Sequence, residues 1–424
     1  MFYLSIILGK ISILLLRFSG KGGSALPGLI TEKINQTFLD QFGRRFKGKT
    51  IIITGTNGKT TTTKVLVDIL EDQGESVLNN RSGSNIKRGI ISSIIEEASW
   101  FGGFKQNYAV FEVDEAYAPI VAKAINPPNI LVALNIFRDQ LDRFAELDKT
   151  YNYIEDAARY SAHVIVNIDD PLLRKITKLH KSVTSFGAAT DIRKQLPSDE
   201  DLHGNEAYRE ITTSDIQLYK TQRNNDQEQI EIRSDDRNIK FSSRLIGIHN
   251  SINLTAVYST LNNLGFSDEQ FKVSASKAVP AFGRGEIINI DGQEVILMLV
   301  KNPAGFNQTL STLRADNMSP SLIGINDKLA DGRDVSWLWD IDFENLLDAE
   351  GEEIICSGTR AEDMALRLKY AQTSSEVIFN IKSALDKLTE IKTVSPKAVV
   401  ATYTAMLEIR KQLSSKTDVK EFWK

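Results

Sequence analysis

Short apolar runs rich in isoleucine and valine alternate with helical stretches along most of the chain. The runs have the length and residue types of buried strands, and turn residues separate them from the helical stretches. This alternation predicts an α/β fold with a parallel, doubly wound sheet. In the first part of the chain the predicted strands are KTIIITG, NYAVFEVDE, NILVALNI and HVIVNIDD, and the helix predicted after the first strand is TTKVLVDILEDQG.

The alternation changes in the middle of the chain. Residues 189–240 are polar and acidic, and YREITTSDIQLYK and EQIEIRSDDRNIKF predict a strand-rich antiparallel insertion. The helix IGIHNSINLTAVYSTLNNLG follows, and beyond AFGRGEI the strand-like runs EVILMLVKNP, SLIGIND and EEIICSGT predict a smaller α/β domain. We therefore expect an N-terminal helix and connector over 1–45, a central domain over 46–283 and a C-terminal α/β domain over 284–424.

The first eighteen residues, MFYLSIILGKISILLLRF, are apolar but interrupted by Lys10. The segment is short for a membrane span, and it lacks the small-residue cleavage site of a secretory signal. A helix packed on a domain surface is the favoured interpretation, and a helix resting at a membrane surface is the other. The sequence leaves both open.

Composition narrows the function classes. A chain of 424 residues with 42% hydrophobic and 25% charged residues is typical of a globular protein of two or three domains. The net charge of -4 argues against a nucleic-acid-binding protein. Since Cys356 is the one cysteine and the four histidines are scattered, neither an internal disulfide nor a Cys- or His-rich metal site is expected. We expect a cytoplasmic location, with peripheral membrane contact left open.

The segment TGTNGKTTT follows the apolar strand IIIT and opens a helix, which is the context of a phosphate-binding loop. Glycines let backbone N–H groups turn toward phosphate oxygens, and the helix N-terminus adds partial positive charge. Lys59 is expected to reach the β- and γ-phosphates of ATP and Thr60 to bind Mg²⁺. Two residues separate the glycines where the general motif has four, so the loop is a shortened variant. The predicted nucleotide-binding residues here are Thr56, Asn57, Gly58, Lys59, Thr60 and Thr61.

Carboxylates follow the neighbouring predicted strands. Glu112 ends the strand in AVFEVDEA, and Asp114 and Glu115 follow at once. Asn135 and Asp139 stand at the end of the next strand. Because the carboxyl ends of strands in an open α/β sheet converge on the ligand crevice, these positions favour a Mg²⁺ site.

Five motifs occur in a fixed order: TGTNGKTTT, FEVDEA, NIFRDQLDRF, VNIDDP and GIHNSIN, followed by GRGE. This set, which spans about residues 48–290, resembles the Mur ligase family of ATP-dependent, amide-forming enzymes of peptidoglycan synthesis. The resemblance implies a central P-loop ATPase domain with a parallel sheet and a Rossmann-like C-terminal domain. Since about 45 residues precede the phosphate loop, the UDP-sugar N-terminal domain of the family is expected to be absent.

Further segments narrow the resemblance. SGKGGSALPG, NRSGSNIKRG, LVKNPAGFNQ and NDKLADGRDVSWLWD look like those of MurT-type subunits of lipid II isoglutaminyl synthases. That resemblance implies amidation of the α-carboxylate of D-glutamate in the lipid II stem peptide through an acyl phosphate. It also implies a heterodimer with a GatD-type glutaminase that supplies ammonia.

The resemblance implies a role for several single residues. For the less certain of these assignments a structural role remains an open alternative. Asn250 and Asn253 could cap a helix, Arg284 could form a surface ion pair, and Asn85 could shape a turn. The matched positions are Gly58, Lys59 and Thr60 at the triphosphate, Glu112 at Mg²⁺, His249, Asn250 and Asn253 at the adenine, Arg284 at the phosphates and Asn85 near the acyl substrate.

Two departures from the family pattern change the expected metals. Mur ligases commonly have D-H-L-D where this chain has Asp139, Gln140, Leu141 and Asp142, which puts a second Mg²⁺ in doubt. The strand-rich insertion has no cysteine, so the zinc ribbon that MurT-type chains often carry is not expected.

The chain is not expected to release ammonia from glutamine, because that reaction needs a nucleophilic cysteine with a histidine base. The sole cysteine, Cys356, follows an apolar strand without a nearby motif histidine, and a buried structural thiol is the favoured interpretation. A partner glutaminase is therefore expected, and free ammonia as the donor remains open.

Residues 325–342, INDKLADGRDVSWLWDID, concentrate five aspartates and two tryptophans. A solvated loop, a metal site and a partner surface are the alternatives. In MurT-type subunits, the resemblance implies, an aspartate of this region completes a Cys-His-Asp arrangement with the partner. Asp334 is our first candidate, Asp331 the second and Asp327 the third.

Two other functions remain as alternatives. A stand-alone amino-acid ligase, as in folylpolyglutamate synthases, would need no partner. A nucleotide-binding scaffold would do little chemistry, and the presence of Lys59, Thr60 and Glu112 argues against it.

Overall fold

The structure, a computed structural model, divides into two compact units. The described residues up to Val279 form the first unit, apart from Phe137 and 194–196, which belong with Pro280 and the residues after it to the second. The described residues are 1–18, 25–80, 84–125, 127–137, 147–196, 213–224, 227–235, 237–280, 283–290, 292–315, 318, 321–347, 353–393 and 395–414.

The first unit is built on a sheet whose described strands number nine. These strands are β1 (Lys49–Thr54), β2 (Val77–Asn79), β3 (Tyr108–Glu112), β4 (Ile130–Ala133), β5 (His163–Asn167), β6 (Val183–Ala188), β7 (Ile216–Asn224), β8 (Gln227–Ser234) and β9 (Arg237–Ser243). The helices are α1 (Phe2–Phe18), α2 (Leu26–Ile34), α3 (Phe38–Arg45), α4 (Lys59–Asp72), α5 (Lys87–Glu97), α6 (Ala118–Ile125), α7 (Leu147–Arg159), α8 (Pro171–Arg174), α9 (Ile176–Leu179), α10 (Thr190–Arg193), α11 (Ile248–Leu264) and α12 (Asp268–Lys277).

The strand order is β2-β3-β1-β4-β5-β6-β7-β8-β9. Strands β1 to β7 pair in parallel, which confirms the predicted parallel sheet, and β7, β8 and β9 pair antiparallel. Because β7 pairs with β6, the predicted antiparallel strands continue the main sheet. The chain runs from β1 out to β2, back to β3 and then past β1 to β4, so the strand order reverses at β1. Ligand crevices form at such a reversal.

Apolar side chains of the sheet are buried on both faces. Phe42 of α3, Ile94 of α5 and Ile154 of α7 pack into one core cluster with Phe111 of β3. Helix α11 covers the opposite face and contacts α4. Residues 250–261 of α11 are buried without exception, as expected for a helix with neighbours on all sides.

Helix α1 packs on the first unit, as the favoured interpretation of the N-terminal segment predicts. Phe2 and Ile6 belong to the core cluster, and the Phe2 ring stacks on Phe38 at 5.0 Å between centroids. None of the described helices is long and apolar enough to cross a membrane.

The second unit has a smaller sheet with the order β10-β11-β15-β12-β13-β14, in which β10 and β11 are antiparallel and the other pairs parallel. This is the second α/β domain that the sequence predicts. Its strands are β10 (Arg284–Ile290), β11 (Gln293–Leu299), β12 (Ser321–Gly324), β13 (Ile354–Ser357), β14 (Glu376–Val377) and β15 (Lys397–Ala401). Its helices are α13 (Pro303–Ala315), a 3-10 helix (Ser336–Asp340), α14 (Phe343–Leu346), α15 (Ala361–Tyr370), α16 (Ile381–Glu390) and α17 (Tyr403–Leu413).

Candidate functional site

The segment between β1 and α4 is a loop that depends on glycine. Gly58 has φ of 88°, and a Cβ at this position would lie 2.4 Å from Oδ1 of Asn253 in α11. Asn135, which follows β4, holds the loop from the other side: its Oδ1 accepts from the Asn57 N–H at 2.8 Å, and its Nδ2 donates to the Asn57 carbonyl at 3.0 Å. The loop is thus held between β4 and α11.

Lys59 is the first residue of α4 and is only 6% exposed. Its ammonium donates to the carbonyl oxygens of Gly55 and Thr56 and lies 3.2 Å from Oε2 of Glu115, which is 4% exposed. A buried charge is strongly destabilising without an opposite charge. Glu115 therefore balances Lys59 in this structure.

The start of α4 has properties that suit a phosphate group. Gly58 supplies no side-chain cap, so the first N–H groups of the helix can serve an external acceptor. The buried hydroxyls of Thr54 and Thr62 have no hydrogen-bond partner among the described residues. The N–H groups, these two hydroxyls and the Lys59 ammonium are donors that fit the oxygens of a nucleoside triphosphate.

Glu112 lies at the end of β3, opposite Ile53 of β1. Asn80 fixes its backbone through two hydrogen bonds, and Nδ2 of Asn85 donates to Oε1 of Glu112 at 3.3 Å. Oε2 of Glu112 forms no hydrogen bond or ion pair with the described residues. This arrangement fits the predicted Mg²⁺ role, in which Thr60 in the first turn of α4 would supply a second ligand. No cluster of three or more His, Cys, Asp or Glu suited to a metal exists in the described ranges.

The residues predicted beside the adenine lie in the first turns of α11. Asn250 and Asn253 are buried, and His249 is half-buried. Gly247 is the N-cap of the helix, and Asn250 donates to the Ile246 carbonyl at 2.7 Å, so neither asparagine is the cap. Because Asn253 meets Gly58, the structure brings the start of α11 together with the phosphate loop.

Arg284 begins β10 in the second unit, between Gly283 and Gly285, where the register with β11 shifts. The neighbouring strand position Glu286 forms an ion pair with Arg410 of α17. The role of Arg284 at the phosphates stays a prediction.

Two of the three aspartates of the acidic stretch are committed to partners in the second unit. The buried Asp331 accepts from both the backbone N–H, at 2.7 Å, and the hydroxyl of Thr404, which anchors the start of α17. Asp327 accepts from the Thr359 hydroxyl and from Nε of Arg360, both at 2.8 Å. The Thr359 hydrogen bond and then Arg360 lower the pKa of Asp327 below its ordinary value.

Asp334 is held differently. Its Oδ1 accepts from the Ser336 N–H at 2.8 Å, and this hydrogen bond lowers the pKa of the carboxyl. In the part of the chain that the structure describes, Ser336 alone forms a hydrogen bond with the carboxylate of the half-buried Asp334, and no ion pair forms. Trp337 packs in the core, whereas Trp339 is 50% exposed with its ring edge against Tyr370. Asp334 thus remains partly accessible, beside exposed residues of the stretch such as Leu329, Trp339 and Asp340.

Cys356 is buried in β13, and burial raises the pKa of its thiol to about 11. A thiol with so high a pKa carries almost no thiolate at neutral pH, and the thiolate is the nucleophilic form. Cys356 is therefore the structural thiol that the sequence favours.

Three acidic residues near the predicted site remain: Asp139, Asp142 and Glu115. Asp139 and Asp142, with the residues around them, lie outside the described residues. Glu115 is one of the acidic residues that follow β3, and the sequence predicts no role for it. The signal was its place three residues beyond Glu112, just past the strand beside the phosphate loop, and only the side-chain geometry shows that it pairs with Lys59.

Comparison with known proteins identifies the family. The lipid II isoglutaminyl synthase (glutamine-hydrolyzing) subunit MurT of Streptococcus pneumoniae is 32% identical over 99% of this chain and 98% of its own length. The chain belongs to the MurT family of Mur ligases. The MurT subunit of Staphylococcus aureus is 30% identical over 94% of both chains.

Family models agree with membership of the MurT family, and solved structures show the fold. The model of the Mur ligase middle domain matches residues 53–261, and that of the MurT ligase C-terminal domain matches residues 299–406. MurF from Acinetobacter baumannii aligns with a TM-score of 0.68 at 18% identity, covering 89% of this chain and 79% of MurF. MurF from Thermotoga maritima in complex with ADP aligns with a TM-score of 0.67 at 16% identity, covering 91% and 85%. These structures show that the chain has the Mur ligase fold.

Proposed function

We propose that this chain is the ligase subunit that amidates the α-carboxylate of D-glutamate in the lipid II stem peptide, with ATP and with ammonia from a glutaminase partner. The observation that carries the proposal is the 32% identity, over 99% of the chain, with a protein named as a subunit of a glutamine-hydrolysing lipid II isoglutaminyl synthase. The phosphate loop and its surroundings supply the machinery that such a reaction needs.

A carboxylate does not react with ammonia unless it is activated. ATP supplies the phosphoryl group that converts the carboxylate into an acyl phosphate, and ammonia then forms the C–N bond as phosphate leaves. The task of the chain is to position the reactants and to neutralise charge.

The phosphate loop of this chain performs that task in the proposal. Lys59 exchanges its pairing with Glu115 for phosphate oxygens, and the N–H groups at the start of α4 donate to them. Glu112 and Thr60 would hold Mg²⁺, and Asn85, bonded to Glu112, would lie near the acyl substrate. Arg284 is assigned to the phosphates as well.

The ammonia source is proposed to be a separate chain of the GatD type. The protonated, buried Cys356 is unsuited to attack glutamine. The relatives in Streptococcus pneumoniae and Staphylococcus aureus are named as subunits, which supports an assembly with a second chain.

Asp334 is the residue that we assign to the partner's active site. An aspartate of a triad needs an ionised carboxylate that is free to accept from an imidazole N–H. Asp334 has a lowered pKa and no described partner beyond Ser336, whereas Asp331 holds α17 and Asp327 holds Arg360. These contacts favour Asp334 over the other two aspartates.

The test uses the chain with a GatD-type glutaminase, ATP, Mg²⁺ and lipid II, and compares glutamine with ammonium chloride as the nitrogen source. Asp334→Asn should lower the glutamine-driven rate by about 10³–10⁴-fold and leave the ammonium-driven rate near wild type. Lys59→Ala should lower both rates by about 10²–10³-fold.

Asp340→Asn is the matched control, because Asp340 is an exposed aspartate of the same stretch. It should keep both rates. Equal glutamine use in Asp334→Asn and wild type would refute the Asp334 assignment, and absence of amidated lipid II with either nitrogen source would refute the proposed function.

A further inference from the structure

Helix α1 packs against the first unit with its small side chains inward. Ser5, Gly9 and Ser12 are buried, and a Cβ on Gly9 would lie 2.8 Å from the side chain of Ile95 in α5. The hydroxyls of Ser5 and Ser12 donate to the carbonyl groups of Met1 and Gly9. The small residues therefore let α1 approach its neighbours closely, and most of its large apolar side chains are left to point elsewhere.

Those large side chains form a continuous exposed stripe. They recur at helical spacing along one side of α1, with exposed fractions between 38% for Ile7 and 88% for Phe18. A helix that only stabilised its own domain would be expected to bury such a stripe. Exposed apolar surface of this extent usually marks an interaction site. We call the following set the apolar face: Leu4, Ile7, Ile11, Leu14, Leu15 and Phe18.

The loop after α5 extends the apolar face with two exposed aromatic residues. Trp100 is 48% and Phe101 87% exposed. The loop touches α1, since a Cβ on Gly102 would lie 2.9 Å from the ring of Tyr3 and the Lys10 ammonium lies 5.7 Å from the Trp100 ring centroid. Aromatic rings with an apolar body and a polar edge are enriched where proteins meet the headgroup region of lipids.

In the sequence of the N-terminal segment every charged residue is basic, whereas Glu96 and Glu97 at the end of α5 are exposed acidic residues. Lys10, Arg17 and Lys21 occur within residues 1–31, and that segment contains no aspartate or glutamate. Arg45 of α3 adds a further cation, donating to the Tyr3 hydroxyl and stacking on its ring. On the neighbouring helix α2, Glu32 is neutralised by ion pairs to α5.

We propose that the apolar face rests on an anionic lipid surface, with α1 lying in the plane of the headgroups. A helix of 17 residues is about 25 Å long, which suits this orientation. The segment that forms α1 contains basic residues and no acidic ones, which complements anionic headgroups, and a protein partner would have no such general preference for that charge. The inference stands without the proposed amidation; if that function holds, α1 also keeps the enzyme beside a lipid-linked substrate.

The test is sedimentation of the full chain with vesicles of phosphatidylcholine alone and of phosphatidylcholine mixed with phosphatidylglycerol. The wild type should bind the mixed vesicles, and added salt should weaken the binding. Leu15→Glu should lower the partition coefficient at least about tenfold. Leu179→Glu is the matched control, since Leu179 lies in the same unit and is 63% exposed against 64% for Leu15; it should bind as the wild type does.

Leu15→Ala guards against a folding defect, because alanine favours the helix and removes only apolar surface. It should bind the mixed vesicles more weakly than the wild type, with an unchanged circular dichroism spectrum. No binding by the wild type, or equal losses in the Leu15 and Leu179 variants, would overturn the proposal. So would a wild-type dimer that Leu15→Glu converts to a monomer, because the apolar face would then belong to a second copy. Since no ATP or substrate is present, failure here leaves the proposed amidation untouched.

Discussion

At the scale of single residues, the pairing of Lys59 with Glu115 is the feature that the sequence could not supply. The phosphate loop is readable from its glycines, its lysine and the flanking strand, because these residue types are required by the backbone and the ligand. The pairing depends on side-chain reach across two strands. The Asp331 anchor could not be predicted either, since its partner Thr404 is 73 positions away in the sequence.

Glu115→Gln should destabilise the protein because it leaves the buried Lys59 without an opposite charge. We expect the free energy of unfolding to fall by about 1–3 kcal/mol, since two carbonyl groups still accept from the ammonium. Urea unfolding without nucleotide measures this. Glu269→Gln, which breaks a surface ion pair with Lys272, should change stability by less than about 0.5 kcal/mol. Equal effects in both variants would show that Glu115 does not balance a buried charge.

Gly58→Ala should remove nucleotide binding, because the new Cβ would collide with Asn253 and the left-handed backbone is strained for alanine. Gly74→Ala separates the two causes. Gly74 has a similar φ of 83°, but a Cβ there meets nothing within 4 Å. We expect a loss of about 1 kcal/mol in stability for Gly74→Ala with unchanged binding of a fluorescent ATP analogue. A Gly58→Ala variant that binds the analogue as tightly as the wild type would contradict the loop geometry.

At the scale of elements, hydrophobic periodicity predicts many of the strands and helices. It predicts only in part how the strands pair. Strands β1, β3, β4 and β5, the antiparallel strands of the first unit and helix α11 occur where their patterns predict them, whereas the parallel strands β2, β6, β14 and β15 have no predicted counterpart. Strand β7 pairs with β6 and so extends the main sheet. Hydrophobic periodicity does not show which strands pair, so this pairing could not be predicted. The orientation of α1 is similar: its apolar composition predicted a helix, but not that its small residues would face inward.

The pairing of β5 with β6 has a pH-sensitive side chain. Burial lowers the pKa of His163 below its ordinary 6.5, with a smaller effect from His180. The unfolded chain therefore takes up a proton more readily than the folded chain, so this contribution to stability is lost as the pH falls from 6.5 toward the lower folded pKa. Urea unfolding between about pH 7.5 and about pH 5.5 should show a smaller acid-induced loss for His163→Gln than for the wild type. Identical losses would show that His163 stays protonatable in the fold.

At the scale of the whole molecule, the chain is a Mur ligase whose proposed nitrogen source is a separate protein chain. The first unit carries the phosphate loop, which is readable from its motif, and the second carries Asp334, one of three aspartates that the sequence offers. The family could be recognised from the order of the motifs, because that order constrains the chain far more than any single loop does. The use of Asp334 by a partner cannot be read from one chain, since the cysteine and histidine that it would complete belong to another.

The measurement that tests the central claim most directly is amidation of lipid II by the purified chain, followed by mass spectrometry. With a GatD-type glutaminase, ATP, Mg²⁺ and glutamine, the account predicts replacement of one hydroxyl by an amine on the D-glutamate α-carboxyl. It also predicts that Lys59→Ala loses that product with either nitrogen source. Asp334→Asn should lose it when glutamine is the nitrogen source and keep it when ammonium is. Unmodified lipid II in the complete wild-type mixture, with both glutamine and ammonium supplied, would contradict the account.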